Sequence, residues 1–166
     1  LAGNQGGDSS LSGQLRVSGT TAHVVWHEGV GHRGKGDIYY YNSSQEISST
    51  NPRNLSNSIS NGTWGTEDVE NSTIHLVISD SGTAYVTWGE DGPQNSSIDI
   101  FLFRSDQEIS STNPMNVSQK LTSTLKNNYA WGGDIAIDSF GNPYIVWSEG
   151  GDGPPPSNRS FFYNGD

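Results

Sequence analysis

The octapeptide Gln45-Glu46-Ile47-Ser48-Ser49-Thr50-Asn51-Pro52 recurs, letter for letter, at residues 107–114. The two copies are 107 − 45 = 62 residues apart, and the same offset places Trp88 at the position of Trp26. A third copy of the surrounding unit follows after 147 − 88 = 59 residues, where Trp147 occupies that position. Because self-similarity at a fixed period is the signature of a repeat architecture, the chain is predicted to contain one unit nearly three times.

Each unit has the apolar pattern of short β-strands joined by hairpins. Runs rich in β-branched and aromatic residues, which favour strands, alternate with Asp-, Ser-, Asn- and Gly-rich turns, which favour hairpins. Four short strands per unit, with apolar residues on both faces, are typical of a β-propeller blade. A β-sandwich is the alternative, since it also has short strands at regular spacing. The predicted strands cover residues 15–18, 22–26, 37–41 and 53–56 in the first unit, 74–78, 84–88, 99–103 and 115–118 in the second, and 134–137, 143–147 and 160–163 in the third.

The predicted fold is therefore all-β, with propeller-like four-stranded antiparallel blades in nearly three repeats of about 60 residues. We expect an N-terminal arm at residues 1–12, blade repeats at residues 13–73 and 74–132, and a partial blade at residues 133–166. The third unit stops where the first two begin the loop to their fourth strand. The last blade is therefore predicted to be incomplete.

An incomplete blade leaves one strand edge without a partner. Fewer than three blades do not close a ring, since propellers have about four to eight, and open edges recruit other strands. The sequence therefore predicts either part of a longer propeller or a sheet completed by another segment. Residues 1–12 are the candidate for that fourth strand, within the chain or between chains. Head-to-tail donation between chains would build a filament.

Two segments carry a resemblance to a known repeat. The pattern Asp-x-x-Gly-Asn-x-Tyr-x-Val-Trp at residues 138–147, with Asp-Ile-Phe and Arg-Ser within residues 99–105, resembles the sialidase-like, BNR-type propeller repeat of bacterial and archaeal secreted and surface proteins. The resemblance covers residues 13–166 and implies a propeller blade and an extracellular location. The family's Asp-box is absent in intact form, and residues 58–64 are the nearest approach, with Ser60 in place of the Asp. No catalytic residue is carried over from the enzymes of the family.

The chain contains an excess of acceptor sequences for N-linked glycans. The pattern Asn-x-Ser/Thr occurs seven times, although one pair of sites repeats with the unit. Such sequences are modified in secreted proteins, so we expect an extracellular or cell-surface glycoprotein. The candidate sites are Asn42, Asn54, Asn61, Asn71, Asn95, Asn116 and Asn158.

Charge and composition argue against other classes. The 8 basic and 18 acidic residues give a net charge of −10, which disfavours nucleic acid as a partner because phosphate binding depends on Lys and Arg. There is no cysteine, so disulfides and thiolate metal sites are impossible. No apolar run approaches the ~20 residues of a membrane span, and none is predicted.

Three glutamates recur with the tryptophans. Glu28, Glu90 and Glu149 each lie two residues after a tryptophan, so each carboxylate is predicted to share a strand face with that indole. With Asp37 and Asp99 they could form the carboxylate pair of a glycosidase. Catalytic groups are singular, whereas these recur with the unit, so a structural role is favoured.

Metal sites are weaker candidates. His23 and His27 lie on one strand face, and His32 with Glu28 could complete a zinc site, although buried core histidines are the alternative. Calcium could bind the acidic turns at residues 80–82 and 138–141, for which simple Asx turns are the alternative. We expect no cofactor.

The leading functional hypothesis is a non-enzymatic, glycosylated surface subunit of a filament, surface layer or adhesin that associates with itself through its strands. It rests on the open repeat, the excess of glycan acceptor sequences and the lack of a singular polar cluster. The alternatives are a fragment of a sialidase-like glycoside hydrolase and a lectin-like glycan-binding module.

Overall fold

The computed structural model describes residues 8–30, 36–48, 51–56, 74–91, 98–110, 112–118, 128–151 and 159–165. All the regular elements in these ranges are β-strands, which confirms the all-β class. In chain order they are β1 (Asp8–Ser18), β2 (Thr21–Val30), β3 (Gly36–Asn42), β4 (Arg53–Asn54), β5 (His75–Ile78), β6 (Ala84–Asp91), β7 (Ile98–Arg104), β8 (Met115–Asn116), β9 (Asn128–Ile137), β10 (Pro143–Gly151) and β11 (Arg159–Asn164).

The strands form three antiparallel sheets that follow the sequence repeat. The first sheet has the order β1-β2-β3-β4, the second β5-β6-β7-β8, and the third β9-β10-β11. Each strand therefore pairs with its neighbour in the chain. Within the described ranges, the predicted four strands in each of the first two units and three strands in the last are present.

The observed strand boundaries differ most from the predicted ones at the first strand of a sheet. β1 begins at Asp8, and Asp8 and Ser10 pair with Val30 and Glu28 of β2. Four of the five residues at 8–12 are polar and give no alternating apolar pattern, but the backbone groups of this segment extend the ladder. Residues 8–12 of the predicted arm thus belong to the first sheet. Residues 1–7 lie outside the described residues.

The first hairpin contains a bulge at a glycine. The register of β1 against β2 shifts between Ser10 and Gly13. A Cβ atom at Gly13 would lie 3.0 Å from the carbonyl oxygen of Val25, so a larger residue would push the two strands apart. Glycine is therefore favoured at the point where the strand bends.

The three predicted hairpin turns are present. Each contains a glycine with positive φ, a conformation that glycine adopts without steric cost. The angles are 58° at Gly19, 85° at Gly82 and 88° at Gly141. The turns join the first two strands of each sheet.

The repeated octapeptide forms the same loop in both copies. Asn113 is buried, its Nδ2 donates to the carbonyls of Arg104, Gln107 and Glu108 at 3.0–3.3 Å, and its Oδ1 accepts from the backbone N–H of Arg104 at 2.9 Å. Asn51 makes the same set of bonds to Asn42, Gln45 and Glu46. A cis peptide bond follows each of the two asparagines. One buried side chain thus fixes the loop to the end of the preceding strand.

The sheets stack face to face in chain order. One apolar cluster, which includes Val25, Leu55 and Trp88, lies between the first and second sheets. The other, which includes Leu102 and Trp147, lies between the second and third. Residues 84–90 of the central sheet are buried at every position, as expected of a strand covered on both faces.

Candidate association site

The recurring tryptophan and glutamate share a strand face in all three sheets, as predicted. In each, the indole N–H donates to the carboxylate two residues later, and the tryptophan stacks on an aromatic residue of the next strand. The Nε1 to Oε distances are 3.3 Å for Trp26 and Glu28, 2.7 Å for Trp88 and Glu90, and 2.7 Å for Trp147 and Glu149. The ring centroids are 5.6 Å apart for Trp26 and Tyr39, 5.9 Å for Trp88 and Phe101, and 5.8 Å for Trp147 and Phe161.

Glu90 also joins two sheets. Ser56, just after β4, donates from Oγ to Oε2 of Glu90 at 2.8 Å, and the same hydroxyl accepts from the backbone N–H of Ile38 at 2.9 Å. Glu90 is only 1% exposed. Buried charges are retained where they are hydrogen-bonded, so this carboxylate serves the interface between the sheets.

The two aspartates predicted beside these glutamates face them across the strands. Asp37 pairs with Glu28, and Asp99 with Glu90. Each aspartate accepts a hydrogen bond of 2.8 Å from an asparagine Nδ2 of the fourth-strand segment, Asn54 or Asn116. Burial raises the pKa of Asp99, while Asn116 and Ser118 oppose that shift by hydrogen bonding to the carboxylate. These carboxylates hold the fourth strands in place.

The glycan acceptor sequences at Asn54 and Asn116 are built into the fold. Their amide nitrogens donate to the aspartates, and their hydroxyl residues, Ser56 and Ser118, are buried. Asn42 instead lies at the end of β3, where its Oδ1 accepts from the N–H and hydroxyl of the exposed Ser44. The other four candidates, Asn61, Asn71, Asn95 and Asn158, lie outside the described residues.

The structure separates Glu28 from the predicted histidine cluster in the first sheet. His23 and His27 are buried toward the second sheet, and His23 Nδ1 lies 2.7 Å from the Tyr40 hydroxyl. Burial lowers the pKa of both histidines. Glu28 lies on the opposite strand face with Trp26, and His32 is outside the described residues. Within the described ranges there is no group of three or more His, Asp or Glu that could hold a metal ion.

The turn between β9 and β10 is an Asx turn. Oδ1 of Asp138 accepts from the backbone N–H groups of Phe140 and Asn142, each at 2.9 Å. Hydrogen bonds from Asn142 are the main cause that lowers the pKa of Asp138. The carboxylate thus stabilises its own turn. Asp80, in the other acidic turn, is exposed.

The first sheet exposes an apolar face. We call the face of each sheet that carries the recurring tryptophan the rear face, and the opposite face the forward face. Within the stack, the forward face of one sheet packs on the rear face of the next. On the rear face of the first sheet, Leu15 is 57% and Val17 is 65% exposed. Its other large side chains are partly buried. The apolar residues of this rear face are Leu15, Val17, Val24, Trp26, Tyr39 and Tyr41.

The third sheet also exposes an apolar face. On its forward face, Val146 is 47% and Phe162 is 56% exposed, and the two residues pair across β10 and β11. Tyr144 and Ala136 extend this face toward the β9–β10 turn. The two ends of the stack thus both present hydrophobic side chains. Surfaces of this kind mark interaction sites.

The sequence matches no protein-family model and no curated protein. In the part of the chain that the structure describes, no helix has the length and apolarity needed to cross a bilayer.

Proposed function

We propose that this chain is a non-enzymatic structural subunit of an extracellular or cell-surface assembly, that its sheets are propeller-like blades, and that it associates with copies of itself through its strands. N-linked glycans would cover the exposed loops of this assembly. Among the described residues, no strand pairs with the outer edge of β11 in the third sheet, and this open edge is the observation that carries the proposal.

The outer edge of β11 differs from the corresponding edges of β3 and β7. In the first sheet, the backbone N–H of Leu55 donates to the carbonyl of Ile38 at 2.7 Å, and in the second, Val117 donates to Ile100 at 2.8 Å. In each of these two sheets, the bond attaches the fourth-strand segment to the third strand. In the described part of the third unit, β11 is the end strand of the sheet. Unpaired strand edges are templates for strand addition.

The repeat also indicates what kind of strand would fit. Ser160 pairs with Ser148 as Ile100 pairs with Gly89, so Ser160 is the counterpart of Ile100. The N–H of Ile100 donates to Ser118 Oγ at 3.1 Å. A strand that ends in an apolar residue followed by serine would therefore make the same bonds to Ser160.

The hydrogen bonds that the three recurring glutamates accept support a structural role for them. Each glutamate accepts a tryptophan N–H, and Glu90 additionally accepts the Ser56 hydroxyl. A catalytic carboxylate must reach a substrate, whereas Glu90 and Glu149 are almost fully buried between sheets. The face-to-face stack of meander sheets supports the blade interpretation.

A single proline substitution tests the edge. Ser160→Pro removes the N–H that faces the open edge but leaves the β10 side of β11 intact, and proline is tolerated on edge strands. The matched control is Ser139→Pro, in the second position of the β9–β10 turn, where proline is favoured. Both variants should keep the circular dichroism spectrum of the parent chain. Sedimentation analysis should show weakened self-association for Ser160→Pro alone, and equal association of both variants would contradict the proposal.

A further inference from the structure

The two terminal sheets expose residues whose counterparts in the central sheet are buried. Leu76 pairs with Val86 as Leu15 pairs with Val24, so Leu15 is the counterpart of Leu76. Leu76 is fully buried against the first sheet, whereas Leu15 is 57% exposed. The rear face of the first sheet thus has the composition of an interface without the sheet that would cover it.

The forward face of the third sheet shows the same contrast. Leu102 pairs with Thr87 as Phe162 pairs with Val146. Leu102 and Thr87 are 3% and 1% exposed in the central sheet, where the third sheet covers them. Phe162 and Val146 are about half exposed. No sheet of the described residues covers this face.

We propose that the forward face of the third sheet in one copy packs against the rear face of the first sheet in a second copy. This inference rests on the proposed self-association and assigns it a surface. It continues the two interfaces already present in the chain, each of which joins a forward face to a rear face. Since the paired surfaces are different, the contact is heterologous and repeats from head to tail.

The interface of the second and third sheets also predicts a polar contact between the copies. At the interface of the second and third sheets, the Tyr85 hydroxyl donates to the carbonyl of Gly141 in the following turn at 2.7 Å. Tyr144 is the counterpart of Tyr85, and Gly19 has the positive φ of Gly141 in the first turn. The Tyr144 hydroxyl donates to Oδ2 of Asp138 in its own sheet at 3.3 Å. In the assembly, Tyr144 of one copy would exchange this long hydrogen bond for one to the turn at Gly19 of the second copy.

Two single substitutions and their mixture test this arrangement. Leu15→Lys blocks the rear face of the first sheet, and Val146→Lys blocks the forward face of the third. Both positions are exposed, so each variant should keep the fold. The matched control is Ile47→Lys, at an exposed apolar loop residue outside both faces. Val17→Lys and Phe162→Lys are second variants for the same two faces.

The expected result is specific to a heterologous contact. Each variant alone should self-associate about tenfold more weakly than the parent chain, or more weakly still, while Ile47→Lys associates normally. Mixed together in a background that also carries Ser160→Pro, which removes the contribution of the strand edge, the two variants should form a 1:1 dimer and no larger species. The unblocked rear face of Val146→Lys then meets the unblocked forward face of Leu15→Lys.

Other results would overturn the inference. If both variants associate as strongly as the parent chain while Ser160→Pro does not, the strand edge alone carries self-association and the faces do not pair. If one variant dimerises alone and the mixture forms nothing new, identical faces pair with each other. A parent chain that remains monomeric would overturn both this inference and the proposed function.

Discussion

The hydroxyl of Ser56 in the first sheet donates a hydrogen bond of 2.8 Å to Oε2 of Glu90 in the second sheet. The same carboxylate oxygen accepts the indole N–H of Trp88 at 2.7 Å. Because Ser56 also accepts from the backbone of Ile38, a continuous chain of hydrogen bonds connects β3 with β6. The recurring Trp-x-Glu motif thus acts at the junction between sheets.

Ser56 and Glu90 should be energetically coupled. Ser56→Ala is expected to lower the free energy of unfolding by about 1–3 kcal/mol, because it removes a buried hydrogen bond to a charged group. Glu90→Leu should cost more, since it leaves both the Ser56 hydroxyl and the Trp88 indole without their acceptor. Denaturant unfolding of both variants and the double variant gives the coupling energy.

A control serine separates coupling from a general loss of stability. Ser110 is exposed in the repeated loop, so Ser110→Ala combined with Glu90→Leu should be additive. If Ser56→Ala and Glu90→Leu are equally additive, the hydrogen bond does not join the sheets energetically.

The buried asparagine of the repeated loop should dominate the stability of that loop. Asn113→Ala removes the partner of three carbonyls and one N–H near the end of β7, and we expect a loss of about 2 kcal/mol or more in the free energy of unfolding. Asn51→Ala should cost a similar amount because its contacts are the same. The exposed Gln107 provides the control, since Gln107→Ala should change stability by less than about 0.5 kcal/mol. Equal effects at Gln107 and Asn113 would contradict this account.

Stability should fall in mild acid because His23 and His27 are buried. Desolvation lowers the pKa of both below the ordinary 6.5, and for His27 the charge of Asp37 offsets part of that shift. Below pH 6.5 the unfolded chain therefore binds protons that the folded chain does not. The free energy of unfolding should decrease toward pH 5, by up to about 1.4 kcal/mol per pH unit for each histidine.

His27→Leu tests the source of this dependence. Loss of one titrating group should make the slope of stability against pH shallower between pH 6.5 and 5. Chemical denaturation at several pH values measures that slope. An unchanged slope would show that protonation of His27 does not contribute.

Glycan occupancy should differ among the described acceptor sites. We expect more modification at Asn42 than at Asn54 or Asn116, because the amide nitrogens of the latter two donate to Asp37 and Asp99. Mass spectrometry of glycopeptides from a glycosylating host gives the occupancy of each site. Higher occupancy at Asn54 and Asn116 than at Asn42 would contradict this expectation.

Self-association should strengthen with salt. Each copy carries a net charge of −10, so copies repel one another at low ionic strength. The Debye length falls from about 10 Å at 0.1 M to about 3 Å at 1 M salt, which screens this repulsion while leaving apolar contacts intact. Sedimentation in increasing sodium chloride should show tighter association, and dissociation by salt would indicate that charge pairs hold the copies together.

The positions of the strands could be predicted because they follow from the types of side chain in the sequence. The third strands, predicted at residues 37–41, 99–103 and 160–163, extend by only one residue at each end in the structure. Their apolar residues lie on both faces of a sheet. The start of β1 could not be predicted, because residues 8–14 are mainly polar residues and glycine, held by backbone pairing.

Contacts between sheets could not be predicted from the periodicity of the sequence. Ser56 and Glu90 are 34 residues apart, and no repeat offset relates them. The placement of Glu28, by contrast, follows from alternation, because it is adjacent to His27 in a strand and so points to the opposite face. That alternation alone removes Glu28 from a metal site formed with His23 and His27.

Sedimentation equilibrium of the unmodified parent chain over a wide concentration range tests the central claim most directly. Self-association through the open edge and the two exposed faces predicts a mass that rises with concentration through multiples of 17.9 kDa. A constant mass of 17.9 kDa at every concentration and salt level would contradict it.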